Sequence, residues 1–306
     1  RQWEIERIVT MFEGANMVSE AVCYQQQAID NAGENVTVPM LVKLTELYLK
    51  AGDTAAALER AKEALDMDPN NTRALQFIGR IHTRMGNADE AAQMYYKALL
   101  AAPNGQARAA SAKQLADLIR SYGAHFDTAA AAAALLKDGH TIDSLMSAAG
   151  LVAAGNDVAV AQGFLDEAVA QATVDSQKAG IYQQWLQMMR QAGDEDKTIE
   201  ACRNLVAVST SYEKYNTASQ LQSMLISAGR YDEAIEEAKK IIAGATAGEE
   251  MGWAKQSMYQ SMARAHLEAG NPDEAWACAL ESARANNSYI TADFLHIARE
   301  TGRINE

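Results

Sequence analysis

No stretch of about 18 apolar residues occurs in this 306-residue chain, which excludes a helix long enough to cross a bilayer. Positive charge is in short supply: 27 Lys and Arg stand against 40 Asp and Glu, a formal net charge of −13. That balance argues against nucleic acid or an anionic membrane surface as the main partner. Tyr, Trp and Phe make up 7% of the chain and offer no evident base-stacking platform. Cysteine is scarce and odd in number. Cys23, Cys202 and Cys278 lie far apart, and the last two read as buried, reduced thiols on helices. A phosphate-cradling glycine loop, a paired-histidine zinc motif and a nucleophile elbow are all missing, so no catalytic residue, metal or cofactor is expected. Proline is limited to four residues, while an apolar content of 48% is ample for a core.

What is present is a pattern written twice between Val38 and Gln106. Gly52-Asp53 is followed by Ala57, Ala64 and Pro69, and Gly86-Asn87 by Ala91, Ala98 and Pro103, each residue 34 positions after its counterpart. A fixed period of this size is the signature of stacked repeats. Leu41, Leu44, Leu47 and Tyr48 recur at helical spacing, which predicts a helix ending near Lys50. Gly52 supplies the left-handed turn that a helix end needs. A second helix is expected from about Thr54 to Met67, capped by Thr54, with Ala57, Ala61 and Ala64 on its inner face and Pro69 as its stop. Such a hairpin is too small to bury its own apolar face and must stack on neighbours.

These residues resemble the tetratricopeptide repeat. The second copy carries the motif as Leu75, Gly79, Gly86, Ala91, Tyr95, Ala98 and Pro103, with His82 where an aromatic is usual. The first carries it as Leu41, Leu44, Tyr48, Gly52, Ala57, Ala64 and Pro69, with Thr45 at the small position. The resemblance implies an all-α fold, an α-solenoid of antiparallel helix hairpins coiled as a right-handed superhelix.

Corners placed at Ala15-Asn16, Gly52, Gly86, Gly123, Gly155-Asn156, Gly193, Gly229, Gly270 and Gly302 divide the whole chain, residues 1–306, into one array of about eight hairpins and a truncated last one. Residues 38–71, 72–106, 215–243 and 256–287 match the motif best. Ala129–Ala134 reads as a tightly packed second helix, and Ala243–Gly248 as the longest flexible linker. The start at Arg1 without Met and the close on Gly302-Arg303-Ile304-Asn305-Glu306 suggest a segment of a longer protein.

Asp138, His140, Asp143 and Ser144 could be drawn into a metal or acid–base group, but a helix start capped by Thr141 or Asp143 fits them better. His82 and His266, each four residues before a corner glycine, read as satisfied core histidines rather than ligands.

In arrays of this family the first helices line the concave surface. Positions at fixed offsets before each corner then give the candidate partner-binding residues. In the N-terminal part these include Lys43, Lys50, Arg73, Gln76, Arg80, Arg84, Lys113 and Arg120, a basic stripe in an acidic chain. It suits acidic groups or a free C-terminal carboxylate, since arginine offers forked donors. Its placement resembles the carboxylate clamp of tetratricopeptide co-chaperones but departs from it at Val42 and Glu46. The alternative is a solvated face in which Lys43, Lys50 and Arg84 pair with Glu46 and its neighbours.

In the C-terminal part the offsets give Gln183, Gln187, Asn216, Gln220, Ser223, Gln260 and Arg264, nearly uncharged and able to pair with a peptide backbone. The expected function is a non-enzymatic scaffold that binds a peptide or protein partner, with no nucleic acid and no membrane insertion, in the cytoplasm. Two alternatives stay open: a self-associating structural repeat protein, and a regulatory or targeting array of an enzyme whose catalytic domain lies elsewhere.

Overall fold

The computed structural model describes residues 2–244, 250–285 and 290–304. Among them every regular element is helical. The chain divides into two compact units, Arg1–Ala168 and Val169–Glu306.

The first unit is built from hairpins: α1 (Gln2–Gly14) with α2 (Val18–Ala32), α3 (Val38–Ala51) with α4 (Thr54–Met67), and α5 (Thr72–Arg84) with α6 (Ala88–Ala101). Then come α7 (Gly105–Tyr122), α8 (Thr128–Leu136), α9 (Ile142–Ala154) and α10 (Val158–Gln171), whose last turn passes into the second unit. The second unit pairs α11 (Asp175–Ala192) with α12 (Glu195–Val208), α13 (Ser211–Ser227) with α14 (Tyr231–Gly244), and α15 (Glu250–Glu268) with α16 (Pro272–Ala285), before α17 (Ala292–Glu300).

Each expected corner holds one left-handed residue: Asn16, Gly52, Gly86, Gly123, Asn156, Gly193, Gly229, Gly270 and Gly302, with φ between 57° and 85°. At the two corners without a left-handed glycine the strain falls on asparagine, the side chain that tolerates it best; Gly155 itself has φ −81°. At Gly52 the amide of Asp53 donates to the Tyr48 carbonyl at 2.9 Å, and the equivalent bond closes Gly86 from Asn87 to His82 at 2.9 Å. Such six-residue loops reverse the chain and place the next residue as a helix cap. The cap of α4 is therefore Asp53, which accepts the Ala56 amide at 3.0 Å, and not Thr54 as expected from the sequence.

Gly123 closes differently. Its amide bonds to Ile119, and four residues without regular structure, 124–127, follow before α8 starts. The alanine run is helical as expected, but α8 has 9 residues where α4, α6 and α12 have 14. It packs mainly on α9 rather than on α7.

Small residues set the helix crossings. Ala57, Ala61 and Ala64 of α4 and Ala91 and Ala98 of α6 are fully buried. A Cβ added to Gly79 would stand 2.7 Å from the Tyr95 ring, so the absent side chain lets α5 lie against that aromatic. Thr45, at the equivalent position of α3, is fully buried and donates its hydroxyl to the Leu41 carbonyl at 2.8 Å. The linker Ala243–Gly248 lies, beyond the end of α14 at Gly244, outside the described residues.

Candidate partner-binding face

Within each unit the bonds between two side chains of different helices join like to like among the described residues. First helices are tied to first helices, as in Gln76 Nε2 to Ser111 Oγ (3.0 Å, α5 to α7) and Ser219 Oγ to Ser257 Oγ (3.1 Å, α13 to α15). Second helices are tied to second helices, as in Arg203 of α12 to Glu233 and Glu237 of α14 at 2.9 and 3.1 Å. Two side-chain faces result, and the sequence-derived candidates lie on the first-helix one.

In the first unit that face is charged, and much of the charge is internally paired. Lys43 and Lys50 both reach Glu13 at 2.7 Å; Lys50 also reaches Glu46 at 2.9 Å, and Arg73 reaches Glu46 at 3.3 Å. Burial alone would raise the Glu13 and Glu46 carboxyls, yet the lysine hydrogen bonds and the surrounding positive charge hold both below the usual value of 4.5. The same bonds, Glu13 first, raise the Lys50 ammonium. Three cations and two carboxylates thus form one network: Lys43 and Lys50 pair with Glu46 as in the solvated-face alternative, but Arg73 joins them where that alternative had Arg84.

Glu13 was not among the expected neighbours, although the signal was there. It sits three residues before the Asn16 corner, one of the offsets that select the face elsewhere.

What stays available lies further along the unit. Arg80 is exposed, with its guanidinium over the Phe77 ring at 5.8 Å and no ion pair among the described residues. Lys113 is exposed and likewise unpaired among them. Arg84 donates to the Leu49 carbonyl at 3.0 Å, which leaves its charge uncompensated, and Arg120 pairs with Asp117 one turn away at 3.1 Å.

In the second unit the first-helix face is made of amides and hydroxyls. Gln183, Gln187 and Asn216 are exposed and have no hydrogen-bond partner among the described residues. Gln220 meets Arg190 at 3.5 Å, Ser223 donates to the Ser219 carbonyl at 3.1 Å, and Gln260 donates to the Thr291 hydroxyl at 2.8 Å. Arg264 is exposed without a partner among the described residues.

Sequence reasoning missed an aromatic pair here. Tyr212 and Trp253 stack with centroids 5.7 Å apart and planes 19° from parallel. Each stands seventeen residues before its corner glycine, one helical turn beyond the most distant offset used to trace the face.

The remaining chemical candidates disperse. Asp138 pairs with Arg108, His140 Nδ1 lies 2.8 Å from Glu167 Oε1, and Thr141 and Ser144 form a reciprocal capping box for α9. Among the described residues no three His, Cys, Asp or Glu gather as metal ligands, and no helix is long and apolar enough to cross a membrane. His82 and His266 are only half-buried, and the buried Nδ1 of each has no hydrogen-bond partner, so they are not the satisfied core histidines expected. Cys202 is fully buried and its thiol is pushed up to about 11 by that burial, which makes it unreactive. Cys278 is half-buried and also raised by burial, while Cys23 is exposed.

A model of the tetratricopeptide repeat family matches residues 48–116, from the last turn of α3 into α7. Over these residues the chain carries tetratricopeptide repeats. No curated protein matches it. Solved structures similar to it include a tetratricopeptide repeat protein from Parabacteroides merdae, 12% identical over 98% of both chains with a TM-score of 0.42. The tetratricopeptide repeat domain of P58(IPK) is 16% identical, over 99% of this chain and 97% of that one, with a TM-score of 0.34. MamA protein is 18% identical over 82% of this chain and 92% of its own, with a TM-score of 0.30. The repeat fold is that of a scaffold for protein–protein interaction.

Proposed function

We propose that the chain acts by binding rather than by catalysis, and holds an extended peptide segment of a partner protein against its first-helix face. The observation that carries this is the second unit's surface. Gln183, Gln187 and Asn216 hold out donors and acceptors that nothing among the described residues satisfies, on helices whose other faces are fixed by buried Ile181, Trp185, Met189, Leu221 and Leu225. A rigid row of primary amides can pair with a peptide backbone whatever its side chains, and the ordering cost falls on the partner. Replacing Gln187 and Asn216 together by alanine is expected to lower capture of the native partner at least tenfold with helicity unchanged. Capture at wild-type strength would contradict the proposal.

A second reading applies to the first unit, where the positive charge of Arg80, Arg84 and Lys113 faces no carboxylate among the described residues, unlike that of Lys43, Lys50 and Arg73. These three are the residues that would engage acidic side chains or a terminal carboxylate. The test is an acidic peptide titrated at low and high salt: binding through exposed charge weakens as the Debye length shortens, and salt-independent binding would contradict it.

A further inference from the structure

Tyr212 and Trp253 are the most conspicuous apolar groups on the first-helix face of the second unit. Their rings stack on each other, yet Tyr212 stays 64% and Trp253 43% exposed. Mutual stacking therefore covers one side of each ring and leaves the other to solvent. Isolated exposed aromatics are ordinary, but these two occupy the same register on neighbouring first helices, seventeen residues before Gly229 and Gly270. The same register before Gly52, Gly86, Gly123 and Gly193 holds Asn35, Pro69, Gln106 and Ser176.

One turn further along the same face stand Asn216 on α13 and Ser257 on α15, and the turn after that brings Gln220. The surface thus runs from two aromatic faces into a row of neutral polar side chains, and at the offset positions before Gly193, Gly229 and Gly270 its charges are Arg190, Arg264 and Glu268.

Resting on the reading that this face binds peptide, we propose that Tyr212 and Trp253 form a stacking platform for a proline-bearing segment in the polyproline II conformation. Three properties of such a segment match the surface. Proline rings are flat, apolar and uncharged, and they pack on aromatic faces. A polyproline helix has no internal hydrogen bonds, so its carbonyls seek donors, and Asn216 Nδ2 and Gln220 Nε2 offer them. Proline brings no N–H that would need an acceptor, and the side chains one and two turns from the rings, Asn216, Gln220 and Ser257, carry no charge that would favour acidic or basic residues. The ligand arrives already extended, so little ordering is lost on docking.

The test is fluorescence anisotropy of the full chain with three labelled ten-residue peptides: all-proline, alternating glycine–serine, and aspartate-rich. The proline peptide is expected to bind at least tenfold more tightly than the glycine–serine peptide. Tyr212→Ala and Trp253→Ala are each expected to weaken it about tenfold, while Tyr212→Phe, which keeps the ring, binds as wild type. Circular dichroism separates a lost platform from a lost fold, since both rings lie at the surface. Proline-peptide binding unchanged in both alanine variants would overturn the platform. So would binding of the aspartate-rich peptide alone. Sedimentation showing dimers that vanish in Trp253→Ala would also overturn it, in favour of a second copy as the occupant. Each of these results leaves the capture experiment with Gln187 and Asn216 standing as a separate trial of the broader function.

Discussion

The two units share one packing scheme and differ on the face it exposes. In each, fully buried alanines set the crossings, Ala57, Ala64, Ala91 and Ala98 in the first and Ala234, Ala238, Ala275 and Ala279 in the second, almost all with no exposed surface. On the first unit's face the polar groups are charges, and Lys43, Lys50 and Arg73 are drawn into a network with Glu13 and Glu46. On the second unit's face they are amides and hydroxyls, and Gln183, Gln187 and Asn216 answer to nothing among the described residues. A basic stripe in the sequence therefore overstates the charge that a partner meets, whereas a row of glutamines understates the bonding that it offers. Charge finds its opposite across neighbouring helices at long reach. An amide must find a partner in good geometry close by.

The shared scheme is the part of the comparison that a mutation can break hardest. Ala91→Arg and Ala234→Arg each force a long charged side chain into a filled crossing and are expected to destabilise by about 3 kcal/mol or more, to a similar extent in both units. Urea unfolding reads the effect, and an unmoved midpoint for either would deny the hairpin in which it lies.

The contrast between the faces is sharpened next. Arg80→Glu with Arg84→Glu is expected to weaken an acidic peptide about tenfold, close to 1.4 kcal/mol, without loss of helicity and without effect on a neutral peptide. Equal loss for both peptides would erase the distinction between the units.

Gly79→Ala sets two opposed terms against each other. Alanine gains about 1 kcal/mol of helix propensity over glycine, while its Cβ meets the buried Tyr95 ring at 2.7 Å. Overpacking of this kind costs about 1–3 kcal/mol, so a net loss of about 1 kcal/mol is expected on urea unfolding, and a stabilised variant would show that the ring moves aside freely.

The smallest effect concerns the charge network itself. The Glu13 and Glu46 carboxyls are held below 4.5, so the stability they lend is in place above that value and is lost as the pH falls through their lowered ones. Glu13→Gln is expected to cost less than about 1 kcal/mol at pH 7 and to flatten that acid dependence. It is also expected to tighten an acidic peptide severalfold by releasing Lys43 and Lys50. An acid limb identical to wild type would remove Glu13 from the account.

Most of the architecture was legible because corners are local. A left-handed residue after a helix and a small residue at a crossing are short-range requirements, and the glycines and alanines answer them in sequence order. The cap at Asp53 was misplaced by one residue because Thr54 and Asp53 are both good caps, and only the loop closed onto Tyr48 decides between them. The shortness of α8 was not legible: six consecutive alanines favour a helix equally at any length, and the four non-helical residues after Gly123 set its start.

The partner face was legible as positions but not as states. Glu13 lies 30 residues before Lys43 and meets it only once the hairpins stack. Tyr212 and Trp253 escaped notice because the traced face stopped one turn short of them.

Hydroxyl-radical footprinting of the chain with its captured partner tests the central claim most directly. Binding along the first-helix face predicts that Tyr212, Trp253 and the half-buried Met224 lose reactivity while Trp276 of α16 keeps it. Protection of Trp276 with Tyr212 and Trp253 unchanged would place the partner on the second helices and contradict the account.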